Sequence, residues 1–314
     1  MNRVFIEDWA ASYGSPYLVP VEQEAADAEL IEDGACLESH RGVAAPGTRV
    51  AFVDGVRRAD AWLYTEDELT GMAGRAIAGT HACGAVVLGE DGRAAFADAI
   101  VQRLAIWGNG ISASLPPVPG GWTWTTASIA DASPDAPLVE LQNRMRQAEG
   151  RLAEDLAGRD LVVVVDGPLN FIRSRDLPVT GYVKTHHRAL LQPEIHRLIP
   201  GLETGCRTSI FRLGEDRYSF YLRLADTGPD ANPWSGIVRL EIPQSAGLTD
   251  ATRIATWLAG ELPRFAGVRH RDPRAPQNLQ PIGALETHLR HLMGHAGLTS
   301  RAVREAVAAL ARGN

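Results

Sequence analysis

The chain has 314 residues, 45 % of them hydrophobic and 22 % charged, with a formal net charge of −7. That apolar content is ample for a buried core in one large domain or two small ones. No run reaches the roughly 18 uninterrupted apolar residues of a membrane span, MNRVFIEDW lacks the apolar centre of a signal peptide, and the negative charge argues against a protein that coats nucleic acid non-specifically.

The expectation is a cytoplasmic protein with no membrane segment. Cys36, Cys83 and Cys206 are odd in number and show no paired spacing, so neither a disulfide frame nor a zinc site is expected, and buried, reduced thiols are.

In chain order, residues 1–47 are acidic and rich in Gly and Ala and read as an N-terminal extension, with EQEAADAELIED as a short surface helix. RVAFVDG (49–55) is a continuous apolar run closed by Asp-Gly, which predicts a strand buried on both faces and stopped by a turn. ADAWLY and HACGAVVLG are further strand candidates, and AAFADAIVQRLAIWG fits a strand or a helix. Residues 110–136 are dense in Pro, Gly, Ser and Thr and predict an irregular loop insertion, with Trp122 and Trp124 packed on their own domain in preference to stacking bases. From Pro137 to Ala157, Leu138, Leu141, Met145, Ala148, Leu152 and Leu156 recur at helical spacing. LVVVVDG (161–167) repeats the pattern of apolar strand, Asp and Gly, and RTSIFRLG, RYSFYLRLA and SGIVRLEIP predict antiparallel strands. The last third predicts helices at TRIATWLAGELPRF, at PIGALETHLRHLMGHA and from Thr299 or Ser300 onward. No repeat at a fixed period is present.

Asp54 and Asp166 thus close two similar apolar strands. A single Asp in that position often just caps a turn. Two matching ends imply neighbouring strands whose carboxylates converge, an arrangement that is costly unless a cation neutralises it. Glu149 falls on the apolar stripe of its helix, where a charge needs a partner, although a stripe-edge residue reaching water fits the same spacing. His288 lies along the stripe Leu285, Leu289, Leu292 and Ala296, where a hydrogen-bonded core histidine is the usual occupant; His291 and His295 extend the spacing without making a zinc face. Two local basic segments, Arg173–Arg188 and Arg264–Arg274, each carry four Lys or Arg against one Asp, and suit either solvated faces or a nucleic-acid track.

The ordered set of Asp54, Glu149, Asp166 and the segment Pro281…Leu285…His288 resembles the NurA nucleases, which work in DNA end processing. The resemblance runs from about residue 49 to about 296, and its sharpest part is MRQAEGRL…LVVVVDGPL, with Glu149 and Asp166 separated by 17 positions. GYVK, containing Lys184, matches the family segment that follows. The resemblance implies an α/β fold, an RNase H-like mixed β-sheet flanked by helices spanning 48–314, with Asp54, Glu149 and Asp166 as metal ligands and His288 as a catalytic histidine. It also implies manganese (or magnesium), a ring-like homodimer, DNA as substrate and a HerA-type hexameric ATPase as partner. Two positions depart from the family pattern: Val56 stands where serine is typical, and Gln280 where an aromatic is expected, which bears on substrate contacts.

The implied activity is 5′–3′ exonuclease or single-strand endonuclease cleavage, serving end processing or defence. Two divalent ions about 3.5–4 Å apart would activate water and stabilise the leaving oxygen. Asp54 would bridge them, Asp166 and Glu149 would each complete one coordination sphere, and His288 would orient water or phosphate or donate a proton. Arg57, Arg58, Arg173, Arg175 and Lys184 would grip flanking phosphates without sequence readout. The alternative from another class is a non-catalytic RNase H-like DNA-binding or adaptor subunit of a translocase complex. A different carboxylate-metal hydrolase, such as a phosphatase or actin-like ATPase, ranks third, because the chain has neither a Walker A motif nor a DxD after either strand.

Overall fold

Long apolar strands dominate the computed structural model, which describes residues 2–6, 28–34, 36–45, 47–67, 71–159, 161–173, 178–184, 189–228 and 231–313. The N-terminal part holds β1 (Asn2–Ile6), β2 (Ala28–Leu30) and β3 (Ser39–Arg41). A three-strand meander follows, β4 (Val50–Asp67), β5 (Ala73–Leu88) and β6 (Ala94–Trp107), and then the short β7 (Thr125–Ser128). Helix α1 (Ala136–Ala157) leads into β8 (Val162–Asp166), β9 (Val179–Val183) and the single turn α2 (Pro193–His196). After them come β10 (Cys206–Thr208), β11 (Phe211–Leu213), β12 (Arg217–Arg223) and β13 (Ile237–Pro243). Three helices close the chain, α3 (Gly247–Glu261), α4 (Gln280–Leu292) and α5 (Ala296–Gly313). Among the described residues no helix is long and apolar enough to cross a membrane.

The strands form one mixed sheet in the order β2-β11-β12-β13-β9-β8-β4-β5-β6-β7, with β1 on β4, and β10 joining β3 to β12. β8 lies parallel between β4 and β9, and α1 supplies the crossover that a parallel connection requires. The sheet's centre is apolar on both faces because helices cover both. α1 seals one face through Ala148, Leu152 and Leu156 against Ala51, Val53, Val163 and Val165. On the other face Ala255 and Leu258 of α3 cover Phe52 and Val164, and Leu285 and Leu289 of α4 cover Val56, Ala82 and Val86.

Several expectations change here. The Asp54-Gly55 pair is not a turn: β4 runs through it, because β5 pairs with it residue for residue from Val50↔Leu88 to Ala59↔Gly79. AAFADAIVQRLAIWG resolves as strand β6. Within the segment expected as an N-terminal extension, the described residues contribute β1, β2 and β3 to the sheet. Of the helix expected at 22–33, Ala28–Leu30 is strand and residues 22–27 lie outside the described residues. The 110–136 segment carries β7, and its Ile111, Leu115, Val118 and Trp124 are buried, while Arg103 sits over the Trp122 ring, so both tryptophans pack on their own domain. The last helix begins at Ala296, earlier than expected, and Cys36 is exposed while Cys83 and Cys206 are buried.

Candidate metal centre

Parallel pairing of Val53 with Val165 brings Asp54 and Asp166 side by side on adjacent strands. Alternation along β4 decides which face they occupy. A Cβ on Gly55 would run into the Glu149 and Met145 side chains of α1, whereas one on Gly84, the cross-strand partner of Asp54, would meet Leu289 of α4 at 3.2 Å. Asp54 therefore turns toward α4, and Asp166, one residue beyond the α1-packed Val165, turns the same way. Gly167 ends β8 with φ 117°, a conformation open to glycine, and the chain bends away there. α4 adds Glu286, buried alongside Ile282, Leu285 and Leu289. One carboxylate oxygen from each of Asp54, Asp166 and Glu286 lies within 4.8 Å of the other two.

Cations frame this trio. Lys184 Nζ donates to Asp166 Oδ2 at 2.6 Å and to Asn278 Oδ1 at 2.5 Å. Asn278, only 1 % exposed, donates in turn to Asp272. Arg274 grips Glu286 with two parallel hydrogen bonds of 2.7 and 2.8 Å, and Arg290 adds a third at 3.1 Å.

Glu149 lies on the other face of β4, packed over the bare backbone of Gly55 next to Asp54. Arg146 Nη1 donates both to Glu149 Oε2 at 2.8 Å and to the Asp166 carbonyl at 2.6 Å. Glu149 Oε1 is buried with no hydrogen-bond partner, and Glu149 is not one of the three residues in the 4.8 Å set. Burial, followed by the charges of Asp166 and Glu149, pushes the Asp54 carboxyl well above the usual range. Burial also raises Glu149 to about 7, opposed by Arg146 and reinforced by Asp166. Both shifts have one physical cause: more negative charge is desolvated here than the neighbouring cations neutralise. An orphaned oxygen and convergent hard carboxylates fit a divalent ion of the Mg²⁺ or Mn²⁺ type.

No protein-family model and no curated protein matches the chain. Among solved structures, the NurA nuclease from Sulfolobus solfataricus is similar with a TM-score of 0.48 and 11 % sequence identity, covering 88 % of each chain. At that level the likeness assigns neither family nor activity.

Of the residues expected from sequence, Asp54 and Asp166 meet, Lys184 joins them and Glu149 adjoins them. His288 does not: its ring stacks on Phe96 of β6, with centroids 4.1 Å apart, roughly 200° round the helix from Glu286. Arg57 Nε is bonded to Gln142 on the α1 side. Arg58 donates to Asp60, to the Gly294 carbonyl and to Thr299, fastening β4 to the α4–α5 corner. Arg173 is exposed, with its backbone N–H on Glu154, and Arg175 lies outside the described residues. Glu286 escaped sequence reasoning although its signal was the one that marked Glu149. Ile282, Glu286, Leu289 and Met293 form the true inward stripe of α4, and Leu292, taken for part of it, is exposed. Asn278 and Arg274 precede the helix in an irregular stretch with no period to expose them.

Proposed function

We propose that this chain is a divalent-metal-dependent DNA nuclease that hydrolyses phosphodiesters at the Asp54–Asp166–Glu286 cluster. The observation that carries this is the convergence of three carboxylates from two parallel strands and a helix within 4.8 Å, next to a fourth whose buried oxygen has no partner. Asp54, Asp166 and Glu286 would hold the ion, Mn²⁺ or Mg²⁺. When bound, such an ion lowers the pKa of water and neutralises charge growing on phosphorus-bound oxygen. Glu149, whose carboxyl is raised to about 7, holds Arg146 against the Asp166 carbonyl from the α1 side of β4 and would keep Asp166 in place for the ion. Lys184, Arg274 and Arg290 offset phosphate charge along the wall formed by β9 and α4.

The core supports the finer structural assignment: the order β6-β5-β4-β8-β9, with an antiparallel meander followed by parallel strands and a crossover helix, is read as RNase H-like. The sequence resemblance to NurA nucleases is what supports DNA end processing, 5′–3′ or single-strand cleavage, a homodimer, a HerA-type ATPase partner and a cytoplasmic location.

Single- and double-stranded DNA incubated with the purified chain should be cut with Mn²⁺ and left intact with EDTA. Asp54→Ala and Glu286→Gln should each lower the rate about 100-fold or more, since even a partner behind a metal ligand is worth about 10–100-fold, while His288→Ala should remain within about threefold of wild type. Absence of cleavage with and without a partner ATPase would instead favour a non-catalytic adaptor, whose carboxylates serve only the ion-pair network. A His288→Ala loss equal to that of Asp54→Ala would return the histidine to the site.

A further inference from the structure

Charge pairing around the cluster is uneven. Asp166 has Lys184, Glu286 has Arg274 and Arg290, and Glu149 has Arg146. Among the described residues, Asp54, 4 % exposed, has only the N–H of Gly55 as a hydrogen-bond partner. Arg274 also pairs with Asp272, so among the described residues five carboxylates share four cationic side chains, and two divalent ions would add four positive charges against a single negative charge in excess. One ion placed against Asp54 meets the charge that has no counterpart.

We infer that the site takes a single divalent ion, and that the Lys184 ammonium occupies the position where a second would sit. This rests on the metal-dependent reading above and departs from the two-ion arrangement expected from sequence.

Lys184 is placed for that role by more than proximity. Its Nζ sits 2.6 Å from Asp166 Oδ2, on the side away from α1, and is held by Asn278, itself locked to Asp272. An ammonium has three N–H donors. Two go to Asp166 and Asn278, and among the described residues no acceptor meets the third, which leaves it for a phosphate oxygen. A lysine fixed on a buried amide supplies a positive charge that needs no assembly from solution. Asp166 would then share its two oxygens between the ion and the ammonium, while Glu286, held in a fork by Arg274, keeps lone pairs for the ion.

Mn²⁺ binding to the full chain, counted by calorimetry and by loss of the free-ion electron paramagnetic signal, tests this without reference to cleavage. The wild type should take one ion per chain. Lys184→Met, which keeps the stem and removes the charge, should take two, and Lys184→Arg should stay at one. Two ions in the wild type, or one in Lys184→Met, overturns the assignment of Lys184 while leaving a metal-dependent nuclease intact. No ion bound by the wild type overturns that reading as well. Because the wild-type count is decisive alone, a variant that failed to fold would not shield the inference.

Discussion

Asp54 is held where its own ionisation works against the fold. It is buried, faces Asp166 and Glu286, and among the described residues has no hydrogen-bonded cationic side chain. A buried charge without a counterion is among the more costly features a core can carry, and sites with this property commonly exchange stability for function. Asp54→Asn, which keeps shape and removes charge, should therefore raise the melting temperature in EDTA at pH 8, by roughly 1–2 °C for about 1 kcal/mol in a chain of this size. The same variant should lose Mn²⁺-dependent stabilisation of the wild type. Thermal unfolding with and without Mn²⁺ reads both effects, and a variant that melts lower than wild type in EDTA would show the carboxylate to be a structural hydrogen-bonding group. His288 illustrates the opposite case: the family resemblance implied chemistry for it, whereas its ring stacks on Phe96, away from the three carboxylates.

At the scale of elements, the site depends on how closely α1 approaches β4. Gly55 makes that approach possible, since any Cβ there would collide with Glu149 and come 2.9 Å from Met145 Cγ. Gly79, nearer the N-terminal end of α1, plays the same part against Leu141. Gly55→Ala should cost about 1–3 kcal/mol, as overpacking in a well-filled core does. It should also cut cleavage by displacing Glu149, whereas Gly92→Ala, in a tight turn with open space around it, should not touch activity. Urea denaturation beside a cleavage assay separates the two; unchanged stability in Gly55→Ala would mean that α1 can shift outward freely. The helix period made α1 and its Glu149 legible in sequence. It did not make α4 legible to the same degree, because Leu292 and Met293 are adjacent apolar residues and only packing decides which of them faces in.

For the whole molecule, the N-terminal strands matter more than their composition suggests. β2 pairs with β11 and β3 with β10, and Ala28, Leu30 and Leu37 pack against the cluster around Phe211 and Tyr221. Deleting residues 1–41 should expose the β10 and β11 edges with their apolar neighbours and drive association, since unpaired edge strands template aggregation. Size-exclusion chromatography should show the truncated chain in the void or in the pellet, and a monodisperse, active truncation would count against the argument. What the amino-acid sequence determined by itself was local and periodic: apolar runs at VAFVDG and VVVVDG, the α1 stripe, the antiparallel strands of the second half, and two aspartates in matching positions. Tertiary structure alone decided that β4 continues past Asp54, that β1, β2 and β3 join the sheet, and that Glu286, Lys184 and Asn278 close the site. The reason is physical. Helix and strand periods arise from contacts a few residues apart, whereas strand length, register and the meeting of charges depend on partners far along the chain, which no local pattern encodes.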